Sequence, residues 1–403
     1  MPDRERIERR LQALWEIALG PAGGADRPAY SPAEAEAMLL VAAWASEQGL
    51  EPGVDRYGNL WALPADWNGP IVTSGSHVDT VPDGGRYDGA LGTVLGLELA
   101  ADLGAEPTDS GARAALMVCA AEEAPRFGAG TVGSRQLVGT LSPEALTQLH
   151  DADGVTVTQA LRDHLERLAA LPRIDPPLGR WRAHAEVHVA QRRELRELAV
   201  VTTVASPRRL EITVSGVSGH AGEVSMADRR DALAGAAEIV LAIEQAATAE
   251  PAETVATAAT LAVTPGAISV IPGQARIGVD MRGVDGSSLH RLQRATEQAA
   301  AEIGRRRGVQ VQTVLTRAGE PVELDPRMVA AGLAAAEALQ IPARTTWSGA
   351  GHDAQHLSSL TPALLVFVPL HGGESHTPQE SANLDEIVHA AMLVAYVMRH
   401  LRA

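Results

Sequence analysis

The first part of the chain alternates between helical spacing and short apolar runs. Residues 1–50 show the helical spacing, and in SPAEAEAMLLVAAWASEQGL Ser31 is placed to cap a helix, with Pro32 at its first position and Gly49 at its end. The stretch DRYGNLWALP then alternates around Gly58 as a pair of strands does. The pattern therefore predicts helices followed by a strand pair.

A strand, loop, helix and strand follow in that order. GPIVTSGSHVDT predicts a buried strand ending at His77, and ALGTVLGLELAADLGA predicts a helix after a glycine-rich loop. ARAALMVCAAEEA predicts a second apolar strand ending at Glu122 and Glu123. This order is typical of a βαβ-type sheet, in which chemistry gathers at the carboxyl ends of the strands.

The spacing of apolar and polar residues changes again further along the chain. RWRAHAEVHVAQ alternates, which places His184, Glu186, His188 and Ala190 on one face of a strand. From about residue 207 the segments follow a β-α-β-β-α-β order, which is a self-contained split βαβ unit. We therefore predict an inserted domain at 208–317, and a first domain formed by 1–207 and 318–403.

Composition and charge exclude several classes of partner and of catalytic chemistry. The 403 residues carry a net charge of −16, which argues against nucleic acid or an anionic membrane as the partner. No apolar run approaches the length of a membrane span, and the first residues lack the features of a signal peptide. The single cysteine, Cys119, cannot form an intramolecular disulfide. We therefore expect a cytoplasmic, globular protein. Lysine does not occur, which excludes a lysine Schiff base and a Walker lysine.

Five residues at strand ends or on glycine-rich loops have metal-ligand chemistry: His77, Asp88, Glu123, His188 and His376. Imidazoles and carboxylates suit zinc, manganese or cobalt. One catalytic ion needs three protein ligands, whereas two ions sharing a carboxylate need five, so the count fits a bridged pair that generates a hydroxide near neutral pH. Each motif alone is more often an ordinary turn or surface pair, and only the set carries the inference.

The motifs in their order along the chain resemble the M20-type metallohydrolases. They are HVDT, GGRYDGALG, EEAPRF, SGHAGEVSM, VDMR, SGAGHDAQH and GGESHTPQE, with GGADRPAYSP and DRYGNLW nearer the start. The nearest branch contains N-carbamoyl-L-amino acid hydrolases, allantoate amidohydrolases and β-ureidopropionases. The resemblance implies an α/β fold: a zinc-peptidase-like catalytic domain with a mixed central sheet flanked by helices, plus an inserted α+β, ferredoxin-like domain that serves as lid and dimerisation surface of a homodimer.

The resemblance also implies two divalent metal ions per subunit, zinc in the first place and manganese or cobalt as alternatives. Carried onto this sequence, His77, Asp88 and His188 would hold one ion. Asp88 would bridge, and Glu123 and His376 would hold the second ion.

Further roles follow from the same resemblance. Asp79 would orient the imidazole of the first ligand, and Glu122 would be the general base that later returns its proton to the leaving nitrogen. His220 would stabilise the oxyanion or the substrate carboxylate, reaching across a dimer. Arg282 would clamp that carboxylate, because a guanidinium suits bidentate binding. Gln191 matches the family's glutamine after the third ligand.

The chain departs from the family pattern where substrate would lie. His352, in GAGHDAQH, matches the family and would support the site. The departures are Ala190, Arg192, Gly219 and Ser269, the last standing where the family has a substrate-contacting asparagine. Arg192 could add a positive contact for a second acidic group. We infer that hydrolysis is retained and that the substrate differs from a plain N-carbamoyl amino acid.

The sequence therefore predicts a dinuclear-metal amidohydrolase that cleaves a linear carbamoyl or ureido C–N bond of a small N-substituted amino acid bearing a carboxylate, by attack of a hydroxide generated at the metals. The alternative is an N-acyl amino acid or dipeptide hydrolase of the same family, which would release no ammonia. A non-catalytic metalloprotein is a third hypothesis, against which the intact Glu122 argues. A role in a specialised biosynthetic pathway is a fourth.

Overall fold

The structure is a computed structural model in which residues 2–401 are described. They form two compact units. The first consists of the chain up to Thr202, Glu323–Thr346 and the chain from Gly351 onward, and the second consists of Thr203–Val322 and Trp347–Ala350. That 208–317 acts as an inserted lid or dimerisation domain stays a prediction.

Helices and strands alternate along most of the chain. The helices are α1 (Arg4–Trp15), α2 (Pro32–Glu47), α3 (Ala90–Gly104), α4 (Val132–Leu137), α5 (Pro143–Gln148), α6 (Val157–Arg167), α7 (Ala232–Thr248), α8 (Gly286–Arg307), α9 (Pro326–Leu339), α10 (Asp353–Leu357) and α11 (Leu384–His400). The strands are β1 (Leu50–Val54), β2 (Leu60–Pro64), β3 (Ile71–Ser74), β4 (Arg113–Val118), β5 (Trp181–Ala190), β6 (Leu198–Val204), β7 (Arg208–Ser215), β8 (Gly219–His220), β9 (Val255–Thr264), β10 (Val270–Ile271), β11 (Gln274–Arg282), β12 (Gln310–Ala318), β13 (Val322–Glu323), β14 (Ala343–Ser348) and β15 (Ala363–Pro369).

The sheet of the first unit is mixed, as predicted, and is flanked by helices. Its strand order is β1-β2-β4-β3-β5-β15-β6-β13, with β14 paired to β6. The pairs β3·β4, β3·β5 and β5·β15 are parallel, whereas β1·β2, β2·β4 and β15·β6 are antiparallel. The parallel strands bring their carboxyl ends to the same edge, which is where the candidate ligands were expected.

The central strand β5 alternates as its sequence predicts, yet both of its faces are buried. Ala183, Ala185, Val187 and Val189 lie in the main apolar core. The opposite face carries His184, which lies 2.9 Å from the Thr73 hydroxyl. Burial on both faces is normal for a central parallel strand covered by helices. The pattern analysis does not predict β6, although LAVVTTV has the β-branched composition of a strand.

The second unit contains a four-stranded antiparallel sheet in the order β12-β7-β11-β9. Its apolar core joins buried residues of β7 and β11 to residues of α7 and α8. In chain order the unit runs strand, helix, strand, strand, helix, strand, with the short pair β8 and β10 beside this sheet.

In the part of the chain that the structure describes, no helix has both the length and the apolar character that crossing a membrane requires.

Candidate metal centre

His77 follows β3 and lies fully buried beside the next strand. Its backbone forms a parallel bridge with Cys119, just beyond β4. Nδ1 lies 3.0 Å from the carbonyl oxygen of Asp79 and 3.5 Å from its carboxylate, so Asp79 orients the imidazole through this nitrogen. Nε2 is thereby left to face the cluster of candidate ligands.

One glycine of the loop after His77, Gly89, lies directly against this imidazole. Gly89 has a φ of +63°, a backbone region that favours glycine. A Cβ built at Gly89 would lie 2.4 Å from Nδ1 of His77, closer than real Cβ contacts. The glycine therefore lets Asp88 approach the histidine.

Asp88 lies between two groups of candidate ligands. Its Oδ1 is 3.5 Å from Nε2 of His77 and 3.2 Å from Nε2 of His188. Its Oδ2 is 3.2 Å from Nε2 of His376 and accepts hydrogen bonds from Gln191 and Ser375. The two oxygens of one carboxylate thus face different sets of donor atoms.

Glu122 and Glu123, adjacent in sequence, extend toward different sets. Oε2 of Glu122 is 3.7 Å from Nε2 of His77, whereas Oε1 of Glu123 is 3.5 Å from Nε2 of His376. The carboxylate of Asp79 accepts both of their backbone amides, at 3.1 and 2.9 Å. Asp79 therefore contacts the first histidine and both acids.

The donor atoms have the spacing that a divalent ion requires. Bonds of about 2.0–2.2 Å at tetrahedral angles place neighbouring ligand atoms about 3.3–3.6 Å apart. The Nε2 atoms of His77 and His188 are 3.4 Å apart, and the distances of both to Asp88 are in or near that range. Two groups share Asp88: His77, Asp88 and His188, and Asp88, Glu123 and His376.

The electrostatics of the two adjacent glutamates also favours bound cations. Burial, reinforced by the nearby Asp88, raises the pKa of Glu123 to about 7. Burial, with Glu123 as a further cause, raises the pKa of Glu122 well above its usual range. Buried carboxylates this close repel one another, and cations offset such repulsion. The residues present therefore fit a centre of two divalent ions.

Other buried side chains lie around the candidate ligands. The ring of His352 packs against that of His188, with centroids 4.6 Å apart. Glu186 accepts hydrogen bonds from the Ser76 hydroxyl at 2.7 Å and from the Ala354 amide at 2.8 Å. A third His/Glu group, Glu186, His188 and His352, also has ligand atoms within 4.8 Å of one another.

Sequence reasoning did not assign a role to Glu380, although it lies in the GGESHTPQE motif. Its Oε1 accepts the amides of Tyr87 and Asp88, at 2.6 and 3.1 Å, and its Oε2 accepts the Ser375 hydroxyl at 2.8 Å. Burial, together with the nearby Asp88, raises the pKa of Glu380 to about 7. Glu380 thus connects the Asp88 loop to Ser375, the residue before His376. The backbone of His376 has a φ of +59°.

Two of the predicted substrate residues follow β5. Gln191 is at the site, since its Nε2 lies 3.1 Å from Oδ2 of Asp88 and 3.1 Å from Nε2 of His376. Arg192 donates from Nε to Glu194 at 2.6 Å. The neighbouring Ala190 is fully buried.

The remaining predicted residues belong to the second unit. His220, in β8, is exposed, and its Nδ1 accepts the Gly222 amide at 3.1 Å. The carbonyl of Ser269 accepts the Ala221 amide at 2.9 Å, so Ser269 lies beside His220. Arg282, at the end of β11, donates to Asp280 at 3.1 Å and to the Gly349 carbonyl at 3.0 Å.

Comparison with known proteins gives consistent matches over most or nearly all of the chain. The model of peptidase family M20/M25/M40 matches residues 73–400. N-carbamoyl-L-amino acid amidohydrolase of Geobacillus stearothermophilus is 31 % identical over 403 residues, which are 98 % of this chain and 98 % of the relative. Allantoate amidohydrolase of Escherichia coli K12 is 29 % identical over 408 residues, which are 99 % of this chain and 98 % of that enzyme.

A solved structure agrees with these matches. The crystal structure of an amidase of the hydantoinase/carbamoylase family from Burkholderia multivorans superposes with a TM-score of 0.84 at 32 % identity, covering 98 % of this chain and 97 % of that one. The predicted fold class of a mixed sheet flanked by helices and the predicted family are thereby confirmed. The chain belongs to peptidase family M20/M25/M40 and is a hydrolase.

Proposed function

We propose that this hydrolase is a dinuclear-metal amidohydrolase that cleaves a linear carbamoyl or ureido C–N bond of a small N-substituted amino acid. The observation that carries the proposal is Asp88, whose two oxygens face two donor groups. Relatives that cover nearly the whole chain are named for carbamoyl amino acids and allantoate. Both names describe linear substrates with a carbamoyl or ureido group.

The metal ions would be held by His77, Asp88 and His188 on one side and by Asp88, Glu123 and His376 on the other. When bound there, such ions would lower the pKa of a water molecule and polarise the scissile carbonyl. Imidazole and carboxylate ligands accept zinc, manganese or cobalt.

Glu122 is the proposed general base. It belongs to neither donor group that contains Asp88, yet its Oε2 lies 3.7 Å from a proposed ligand, Nε2 of His77. Glu122 takes the proton of the attacking water and gives it to the leaving nitrogen, since an amine anion is too poor a leaving group. Asp79 keeps this acid in place through its amide.

Substrate recognition is assigned to Gln191 and, in the second unit, to His220, Ser269 and Arg282. His220 would stabilise the oxyanion or the substrate carboxylate, and the guanidinium of Arg282 would bind the carboxylate, for which its fork of donors is suited. We further propose that 208–317 forms the lid and dimerisation surface of a cytoplasmic homodimer. We also propose that His352, whose ring packs against His188, supports the metal ligands.

The proposal is tested by ammonia release. The protein is stripped of metal, reloaded with zinc, manganese or cobalt, and given N-carbamoyl amino acids, allantoate and N-acyl or dipeptide controls. We expect metal-dependent ammonia in step with free amino acid, because carbamoyl cleavage gives ammonia and carbon dioxide. Free amino acid without ammonia, from the acyl or dipeptide substrates only, would instead support the alternative of an acyl or peptide hydrolase.

Arg192 provides a test of substrate selection. Its guanidinium is bound by Glu194, and the residue is one of the departures from the family pattern noted above. We propose that it also binds a second acidic group of the substrate. Arg192→Ala should raise KM about tenfold for diacidic substrates only, the effect of losing about 1.4 kcal/mol of a charged contact. The adjacent, exposed Arg193→Ala is the matched control. An equal loss on every substrate would contradict this selective role.

A further inference from the structure

A buried carboxylate that belongs to none of the donor groups lies at the start of α2. Glu34 is completely buried in the first turn of this helix. Its amide donates to the hydroxyl of the N-cap residue Ser31, and its Oε2 accepts the amide of Tyr30. This is close to a capping box, in which a glutamate at the third position binds back to the start of its helix.

A capping role uses only one of the two oxygens of Glu34. Its Oε1 accepts the amide of Ala121 at 2.8 Å, 87 residues away in sequence. Ala121 has a φ of +54°, which is uncommon for a residue with a Cβ, and the next two residues are Glu122 and Glu123. The second oxygen therefore connects a helix start to the loop that carries both acids.

The three residues Ala121–Glu123, here called the acid loop, have all their amides bound by carboxylates. Glu34 accepts the first amide, and the two oxygens of Asp79 accept the second and third. Three successive amides that converge on buried acceptors leave the loop little freedom. Such anchoring is what maintains a residue such as Ala121 at an unfavourable φ.

We propose that Glu34 is a positioning residue for the acid loop, and that it sets the directions in which Glu122 and Glu123 extend toward the two metal groups. The inference rests on the proposed function, because it gives those two acids their roles. In this role Glu34 acts through the amide of Ala121, and it belongs to none of the candidate donor groups.

Both oxygens of the Glu34 side chain act as hydrogen-bond acceptors. A glutamine has the same shape but one acceptor oxygen and one NH₂ donor, whereas the surroundings present an amide donor at each end. Glu34→Gln would therefore turn one of two hydrogen bonds into a contact between two donors. His164, whose Nδ1 lies 3.9 Å from Oε2, is on the Tyr30 side of the carboxylate.

The test compares Glu34→Gln with two controls. Glu98→Gln alters another buried glutamate, which accepts hydrogen bonds from Arg6 and Arg10 of α1. Ser31→Ala removes the helix cap and leaves the Ala121 hydrogen bond intact. The readouts are hydrogen exchange of the peptide covering the acid loop, metal affinity by chelator competition, and kcat and KM on the best substrate.

We expect Glu34→Gln to speed exchange of the acid-loop amides and to weaken metal binding by about 10–100-fold, the effect usual for residues that orient ligands. The value of kcat should fall with little change in KM. Both controls should lower Tm while leaving loop exchange and metal affinity at wild-type values.

Wild-type loop exchange and metal affinity in Glu34→Gln would overturn the proposal and leave Glu34 a helix cap. Should this variant not fold, Glu34→Asp, which keeps both acceptors on a shorter side chain, is judged by the same readouts and the same outcomes. Exchange and chelator competition need no substrate. A wild-type protein that releases no ammonia would therefore contradict the proposed function without affecting this test.

Discussion

Glu122→Gln should lower kcat by about 10²–10⁴-fold while the protein keeps its full metal content. Glutamine has the size of the native side chain but cannot accept a proton from the attacking water, and general-base catalysis contributes about this factor. Glu122 is absent from both donor groups that share Asp88, so its replacement should leave metal binding intact. Turnover and metal content measured on the same preparation check both halves of the prediction.

Glu123→Gln is the informative comparison, since the neighbouring acid belongs to a donor group and its replacement should release metal. The exposed Glu144→Gln, in α5, controls for loss of a negative charge. Unchanged turnover in Glu122→Gln, with metal retained, would mean that Glu122 is not the base and would favour the hypothesis of a non-catalytic metalloprotein.

Asp88→Asn should have the second large effect. The substitution replaces one acceptor oxygen by an NH₂ group, so at most one of the two donor groups keeps its shared ligand. We expect the metal content to fall to one ion per subunit or fewer, with at least about 100-fold weaker binding. Turnover should fall in parallel. Metal analysis after dialysis against a weak chelator measures the stoichiometry.

The same glycine-rich loop offers a matched control. Asp83 is partly buried, and its Oδ1 accepts the amides of Ala22 and Gly24 rather than facing the candidate ligands. Asp83→Asn should cost some stability and leave two ions bound. If Asp88→Asn still held two ions with wild-type affinity, Asp88 would not be shared between them.

Much of the fold follows from periodicity in the sequence. Alternation along β5 separates His188 from the core residue Val187, and the short apolar runs mark β3 and β4. The run LAVVTTV lies between polar segments, where the pattern of apolar and polar residues changes. For this reason the sequence pattern does not identify β6 as a strand. Residue spacing also cannot show that β5 is covered on both faces, because that depends on helices far away in the chain.

The candidate ligands were identifiable by type and place: imidazoles and carboxylates at strand ends, which the structure brings together at one edge of the sheet. The buried acids that bind the backbone next to them were not. Glu34 and Glu380 bind backbone amides 87 and 292 residues away, at Ala121 and Asp88. A backbone amide has no sequence signature, so contacts of this kind cannot be inferred from side-chain patterns.

Cys119 gives this edge of the sheet a built-in reporter. It is the single cysteine of the chain, it is buried, and its amide donates to the carbonyl of Ser76 beside the bridge to His77. Burial raises the pKa of its thiol well above the usual value, so the reactive thiolate is scarce in the closed protein. A thiol reagent can reach it only when the structure around this buried side chain opens. The labelling rate of the native sequence therefore reports opening of the structure around Cys119, beside the first candidate ligand, and the slowing of that rate by added metal ions measures how far the ions suppress this opening.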